Sequence, residues 1–136
     1  MTSNYIKKIL EANVYDVAIE SPLELAGNLS DRFSNKVFLK REDLQSVFSF
    51  KLRGAFNKIN SMSAAQQKTG VVTASAGNHA PGVALAASKM KIPATIVMGT
   101  NTPEIKVSAV RKLGAKVVLQ GNNYYEASEH ARGLQK

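Results

Sequence analysis

Three short apolar segments that alternate with segments of helical periodicity constrain the fold of this chain more than any other feature. The apolar segments are residues 70–73, 94–98 and 116–119, and the helical patterns that follow them cover residues 78–90, 102–113 and 124–136. Strands that are buried on both faces have such continuous apolar sequences, and helical crossovers make the strands that they join parallel. The sequence therefore predicts an α/β fold, an open parallel sheet with helices on both faces.

The chain before residue 70 is predicted to be less regular. Ser21, followed by a proline and by a glutamate three residues on, has the pattern of a helix start and predicts a helix over residues 22–33. A strand is predicted over residues 36–40 and a helix over residues 50–59. Ser63, with glutamine three residues later, predicts a capping box that opens a short helix.

The apolar residues of the predicted strands and of the helices that face them are expected to form the core. They are Val71, Val72, Val83, Ala84, Ile96, Val97, Val110, Val117 and Val118.

The composition is that of a soluble globular protein, with 44% hydrophobic and 21% charged residues in 136. The absence of cysteine excludes disulfides, thiolate nucleophiles and cysteine-ligated metals, and two histidines predict no metal site. The chain has no signal-peptide pattern and no apolar stretch near the ~20 residues of a membrane helix. We expect a cytoplasmic protein without a membrane partner.

The net charge of +8 could indicate a nucleic acid, an anionic membrane or an anionic small ligand as partner. The basic residues are dispersed along the chain and form no block. This pattern favours a solvated surface over a nucleic-acid site.

The loop at residues 73–79 is the first candidate site, because ligands of open parallel sheets gather at the carboxyl ends of the strands. Its small residues allow close approach of backbone N–H groups, and the helix start that follows would attract a carboxylate or a phosphate. Serine, glycine and asparagine are equally common in strand-to-helix turns that bind nothing. His79, at the end of this loop, is equally compatible with a packed helix residue.

Lys51 is the second candidate, since it lies between Phe50 and Leu52 at a predicted helix start. Apolar neighbours would lower the pKa of its amine and make it a better nucleophile, able to form a Schiff base. The alternative is an ordinary surface lysine on an amphipathic helix.

Residues 49–55, with Phe50 and Lys51, resemble the lysine motif of the threonine deaminase and serine racemase group of fold-type II pyridoxal-phosphate enzymes. Residues 73–80 resemble the substrate loop of the same group. Further matching motifs follow in the family's order, at residues 21–23, 40–43, 103–107 and 109–115. The resemblance covers residues 14–136.

The resemblance implies a role for each candidate residue. Lys51 would bind pyridoxal phosphate as a Schiff base and later act as the proton-transfer base, with Phe50 packed beside the cofactor ring. Asn78 would bind the phenolic oxygen of the cofactor. Ser75, Gly77, Asn78 and His79 would bind the substrate carboxylate, so Lys51 and Asn78 are expected to converge.

The activity implied is the deamination of L-threonine to 2-oxobutanoate and ammonia, the first step of isoleucine biosynthesis, with serine giving pyruvate. Ala76 stands where racemases of the group carry an acid/base serine, which disfavours racemisation. Pro81 replaces the family's usual glutamine in the first turn of a helix, where proline is tolerated. The full-length enzyme is expected to be a homo-oligomer that acts on a small amino acid.

The resemblance also implies that residues 1–136 are the N-terminal part of the catalytic domain, with residues 50–136 in its smaller subdomain. The family's glycine-rich phosphate loop would lie beyond residue 136, so the chain alone is expected to bind cofactor weakly and to be inactive. Three alternatives stay open: a catalytically silent α/β module, a serine/threonine dehydratase of the catabolic branch, and a basic nucleic-acid-binding module.

Overall fold

A computed structural model describes residues 4–135 of the chain. We number its helices and strands in chain order. They are α1 (Tyr5–Leu10), β1 (Leu23–Leu25), α2 (Gly27–Phe33), β2 (Phe38–Lys40), α3 (Lys51–Asn60), α4 (Ala64–Thr69), β3 (Val71–Ala74), α5 (His79–Lys89), β4 (Ala94–Met98), α6 (Glu104–Lys112), β5 (Lys116–Leu119) and α7 (Tyr124–Gly133). Short 3₁₀ turns cover Val14–Asp16 and Glu42–Leu44.

The main sheet has the order β3-β4-β5, and both of its strand pairs are parallel. Val71 of β3 lies opposite Ala94 of β4, and Ile96 of β4 lies opposite Val117 of β5. The predicted parallel α/β fold is therefore confirmed.

Helices cover both faces of this sheet because successive side chains of β4 point to opposite sides. Ile96 packs in a cluster with residues of α3, α5 and α6, whereas its neighbour Val97 packs with Ala127 and Ala131 of α7. Both strand residues have no exposed surface. The prediction of helices on both faces is correct.

The predicted core is buried at its centre and half-buried at the sheet edges. Val83, Ala84, Ile96, Val97 and Val110 are buried, as expected. The remaining four, Val71, Val72, Val117 and Val118, are only partly buried. They lie on β3 and β5, which each have one paired neighbour among the described residues, so solvent reaches them from the sheet edge.

The helix predicted over residues 22–33 is wrong in its first part. Leu23–Leu25 form β1, which pairs antiparallel with β2, and the helix begins only at Gly27. The Ser21 hydroxyl donates to the carboxylate of Glu42 instead of capping a helix, and Glu24 forms an ion pair with Arg41. Tertiary pairing thus overrides a local capping pattern.

The other predicted boundaries are close to the observed ones. Ser63 and Gln66 form the predicted capping box of α4, and Gly114, with φ of 92°, follows α6 in a left-handed conformation that favours glycine. The helix predicted from residue 102 begins at Glu104, and the Thr102 hydroxyl donates to the Gly99 carbonyl. α7 ends at Gly133, and Lys136 lies outside the described residues.

The helices described between residues 4 and 135 include none that is long and apolar enough to cross a membrane.

Replacing Ile96 with alanine should lower the free energy of unfolding by about 2–5 kcal/mol, since the truncation leaves a cavity in the central strand. Ile105 is 80% exposed, so Ile105→Ala is a matched control that should change the same quantity by less than about 0.5 kcal/mol. Urea unfolding followed by circular dichroism measures both. Equal losses in the two variants would contradict the assigned core.

Candidate functional site

The loop between β3 and α5 lies at the carboxyl end of the sheet. The backbone N–H of Ser75 donates to the Val97 carbonyl at 3.0 Å, which extends the pairing of β3 with β4 by one residue. The Ser75 hydroxyl then accepts from the N–H of Gly77 at 3.2 Å. The loop is thereby folded on itself while Gly77, Asn78 and His79 are exposed.

Asn78 occupies the N-cap position of α5, yet its side chain makes no capping hydrogen bond. An asparagine at this position usually accepts from an N–H of the first helical turn. Here the exposed amide is free of that bond and can donate to, or accept from, a bound molecule.

Lys51 is the first residue of α3 and is exposed to solvent. Its amine nitrogen lies 4.9 Å from the centroid of the Phe50 ring, whose side chain is 57% exposed. An amine and an apolar aromatic face therefore stand side by side at the surface.

Close packing at Gly82 brings the starts of α3 and α5 together. A β-carbon on Gly82 would lie 3.1 Å from the carbonyl carbon of Lys51 and 3.2 Å from the nitrogen of Leu52. Gly82 is one turn into α5, directly after the loop that ends at Asn78. The two segments singled out in the sequence therefore meet in one region of the molecule.

The electrostatics of His79 reflect this arrangement. Although His79 is exposed, nearby protein atoms partly desolvate its ring and lower its pKa below the usual 6.5, and the positive charge of Lys51 lowers that pKa further. The imidazole is therefore neutral at pH 7, and can accept or donate a hydrogen bond without adding a second positive charge beside the amine.

These groups fit the chemistry of a pyridine aldehyde with an anionic substrate. An accessible primary amine can condense with an aldehyde, the Phe50 ring offers a flat apolar contact, and Asn78 offers an uncommitted amide. The Ser49 hydroxyl, buried two residues before Lys51, has no hydrogen-bond partner within residues 4–135. These residue types fit the aldehyde and the flat ring of pyridoxal phosphate.

Comparison with known proteins agrees with this chemistry. Residues 14–136 match the family described as "Pyridoxal-phosphate dependent enzyme". The chain belongs to this family. The match covers every residue of the loop at 74–78 and of the Lys51 segment, and the cofactor of the family is the one that the site fits.

Within this family, the chain is similar to proteins named threonine dehydratase. The chain is 57% identical over 130 residues to "Threonine dehydratase 2 biosynthetic, chloroplastic" of Solanum lycopersicum, and this match covers 96% of the chain and 22% of the relative. The chain thus spans about a fifth of the length of that relative.

Solved structures of the pyridoxal-phosphate family have the same fold. The processed form of threonine deaminase isoform 2 from Solanum lycopersicum matches with a TM-score of 0.92 and 56% identity over 96% of this chain and 36% of that one. Maize serine racemase matches with a TM-score of 0.89 and 33% identity, over 96% of this chain and 40% of its own. The roles of Phe50, Lys51, Ser75, Gly77, Asn78 and His79 in binding stay predictions.

The sequence did not predict a cluster of polar residues around Glu42, which contacts Arg53 of α3. The Glu42 carboxylate pairs with Arg53, and hydrogen bonding with Arg53 lowers the pKa of Glu42 to about 2. In the sequence Glu42 stands out only as part of the motif at residues 40–43, where acidic Asp43 follows it, so no local signal distinguishes the two carboxylates.

Replacing Lys51 with alanine should raise the pKa of His79, because a nearby positive charge is removed. Lys89→Ala, at the opposite end of α5, is the matched control and should leave that pKa unchanged. Titration of the His79 ring protons by NMR measures the shift, with His130 as the internal reference. An unchanged pKa in Lys51→Ala would show that the amine lies away from α5.

Replacing Gly82 with alanine should lower the free energy of unfolding by about 1–3 kcal/mol, since the added methyl meets the backbone of α3. Gly54→Ala, inside α3, meets no atom within 4 Å and should instead raise stability by about 0.5–1 kcal/mol. Thermal and urea unfolding measure both. A stability gain in Gly82→Ala would mean that the two helices are not in close contact.

Proposed function

We propose that this chain supplies the lysine-bearing part of a pyridoxal-phosphate enzyme that deaminates L-threonine to 2-oxobutanoate and ammonia, the reaction that begins isoleucine biosynthesis. The observation that carries the proposal is the placement of Lys51 against the start of α5, where a neutral His79 and an uncapped Asn78 stand. The likeness to proteins named threonine dehydratase supports the choice of substrate.

Lys51 is the residue that would hold the cofactor, and its amine would take the proton from the α-carbon of the substrate. Lys51 is the first residue of α3, and the next residue, Leu52, is fully buried. The buried Leu52 side chain anchors the backbone that carries the exposed amine. Phe50 would offer its exposed ring as a flat apolar contact for the cofactor. When bound, pyridoxal phosphate supplies the electron sink that makes the α-proton removable.

The loop between β3 and α5 binds the substrate carboxylate. The N–H groups at the start of α5 and the partial positive charge of the helix end attract an anion, and α5 has 11 residues. Ser75 and Gly77 supply further polar groups, and the neutral imidazole of His79 can donate a hydrogen bond. The carboxylate is thereby placed near the Lys51 amine.

The side chain of Ala76 favours elimination over racemisation. A racemase needs a second acid or base on the face of the substrate opposite to Lys51, and a methyl group cannot transfer a proton. The β-hydroxyl of threonine or serine leaves as water instead. We expect pyruvate from serine by the same steps.

Several finer features stay predictions. They are the cytoplasmic location, the homo-oligomeric state of the full-length enzyme, the division that places residues 50–136 in a smaller subdomain, and the assignment to the biosynthetic branch. A relative named chloroplastic shows that location varies among similar proteins. The expected absence of a nucleic-acid partner also stays a prediction.

The proposed reaction can be tested with a chimera. In this chimera, residues 14–135 replace the equivalent segment of the tomato threonine deaminase. We expect it to release 2-oxobutanoate from L-threonine, and Lys51→Ala to lower kcat at least about 100-fold, since a general base contributes about 10²–10⁴-fold. Lys58→Ala, two turns further along α3, is the matched control and should keep full activity.

The outcomes of the chimera separate the alternatives. A folded chimera without activity would favour a catalytically silent module, and a strong preference for serine over threonine would favour the catabolic branch. Full activity in Lys51→Ala would refute the assignment of the cofactor lysine.

A further inference from the structure

The Glu42 carboxylate gathers four hydrogen-bond donors from three parts of the chain. Arg53 donates to it twice, from Nε at 2.9 Å to one oxygen and from Nη2 at 2.9 Å to the other. The Ser21 hydroxyl donates at 2.5 Å and the Gln45 side-chain amide at 3.3 Å. Such a bidentate pair fixes both its distance and its orientation.

Two of these donors flank Lys51 in the sequence. Gln45 lies before the lysine, and Arg53 lies one turn or less after it on α3. Because both side chains bind the same carboxylate, the segment at residues 45–53 is closed into a loop with Lys51 near its far end. The loop cannot open on one side without losing a bond to Glu42.

The turn inside this loop is held in an unfavourable conformation. Phe48 has φ of 56°, in the left-handed region that a bulky side chain rarely adopts, and its N–H donates to the Gln45 carbonyl at 2.7 Å. Such a conformation persists only where the surrounding structure imposes it. Gln45, which is 1% exposed and bound to Glu42, is the residue at the start of this turn.

Both flanking side chains are also anchored to the same backbone position. The Gln45 amide exchanges two hydrogen bonds with the backbone of Ile19, at 2.9 and 2.8 Å, and Arg53 donates to the Ile19 carbonyl at 3.1 Å. The Arg53 guanidinium lies 5.2 Å from the centroid of the Tyr15 ring. The closed loop is thus attached to the N-terminal part of the chain.

The Glu42–Arg53 pair is less exposed than the other ion pair of the same segment. The side chains of Glu42 and Arg53 are 16% and 23% exposed, whereas Asp43 and Arg41 are 58% and 31% exposed. Water and salt therefore screen the first pair less. Removing the Glu42 charge would leave a partly buried guanidinium without its partner.

We propose that Glu42 is a positioning residue for Lys51, because its carboxylate binds side chains from both segments that flank the lysine. The role of the lysine rests on the proposed function. The positioning itself concerns only residues of this chain, so it can be measured without catalysis.

Hydrogen exchange of the 136-residue chain, read by mass spectrometry, tests the positioning directly. Glu42→Gln should speed the exchange of amides at residues 48–53 by about tenfold or more, the scale expected when hydrogen bonds to a charged group are lost. Amides of α6 should keep their rates. Asp43→Asn removes the adjacent carboxylate charge and is the matched control that should change neither segment.

Arg53→Lys is a second variant, which keeps the positive charge but loses the two parallel hydrogen bonds to Glu42. It tests the proposed positioning if Glu42→Gln does not fold. It should also speed exchange at residues 48–53 selectively. Unchanged exchange there, equal acceleration in α6, or the same effect from Asp43→Asn would overturn the proposal.

The chimera adds a kinetic measurement that would stay unchanged if Glu42 had a purely structural role. Glu42→Gln should lower kcat by about tenfold or more while KM for threonine changes little, because misplacing the reacting amine slows the chemistry without altering the carboxylate loop. A chimera without wild-type activity would refute the proposed function alone, since the exchange experiment still decides the positioning. A rise in KM for threonine with unchanged kcat in Glu42→Gln would overturn the positioning role.

Discussion

The close contact between Gly82 of α5 and the backbone of Lys51 on α3 is the constraint on which the site depends. A β-carbon at position 82 would lie 3.1–3.2 Å from the backbone of Lys51 and Leu52, which is tighter than most side-chain contacts, so glycine at this position favours the close approach of the two helices. The contact places the lysine near the loop at the carboxyl end of β3, although 24 or more residues separate Lys51 from that loop along the chain. Desolvation lowers the pKa of His79, and the nearby Lys51 charge adds a smaller contribution in the same direction.

The sheet and the site are linked through the central strand. β4 is buried on both faces, so its position is fixed by α5 and α6 on one side and α7 on the other. Ser75 continues the pairing with β4 for one residue beyond β3, and the loop with Gly77 and Asn78 begins there. The loop is therefore attached directly to β4, the central and most buried strand of the sheet.

Polar contacts organise the other flank of the lysine. Between residues 15 and 53, Glu42 and its partners connect the N-terminal segment, the turn at Phe48 and the first turn of α3. The same segment contains the antiparallel pair of β1 and β2, where Arg41 binds Glu24 and Asp43. Apolar packing against α5 and polar packing against Glu42 thus hold α3 from two sides.

The sequence by itself determined the parallel sheet, the helices on its two faces and the residues at its centre. Hydrophobic periodicity and the residue types of turns depend on neighbouring residues only, so they can be read without the tertiary structure. Ile96, Val97 and the capping box at Ser63 needed no tertiary information. It could not determine β1, since Ser21 and Glu24 form a good helix start until Glu42 and Arg41 are near enough to bind them. Nor could it show that Val71 and Val118 are only half-buried, or that Lys51 meets Gly82, because strand order and helix contact join residues far apart in the chain. Those features were decided by the tertiary structure, in which long-range pairs outweigh local preference.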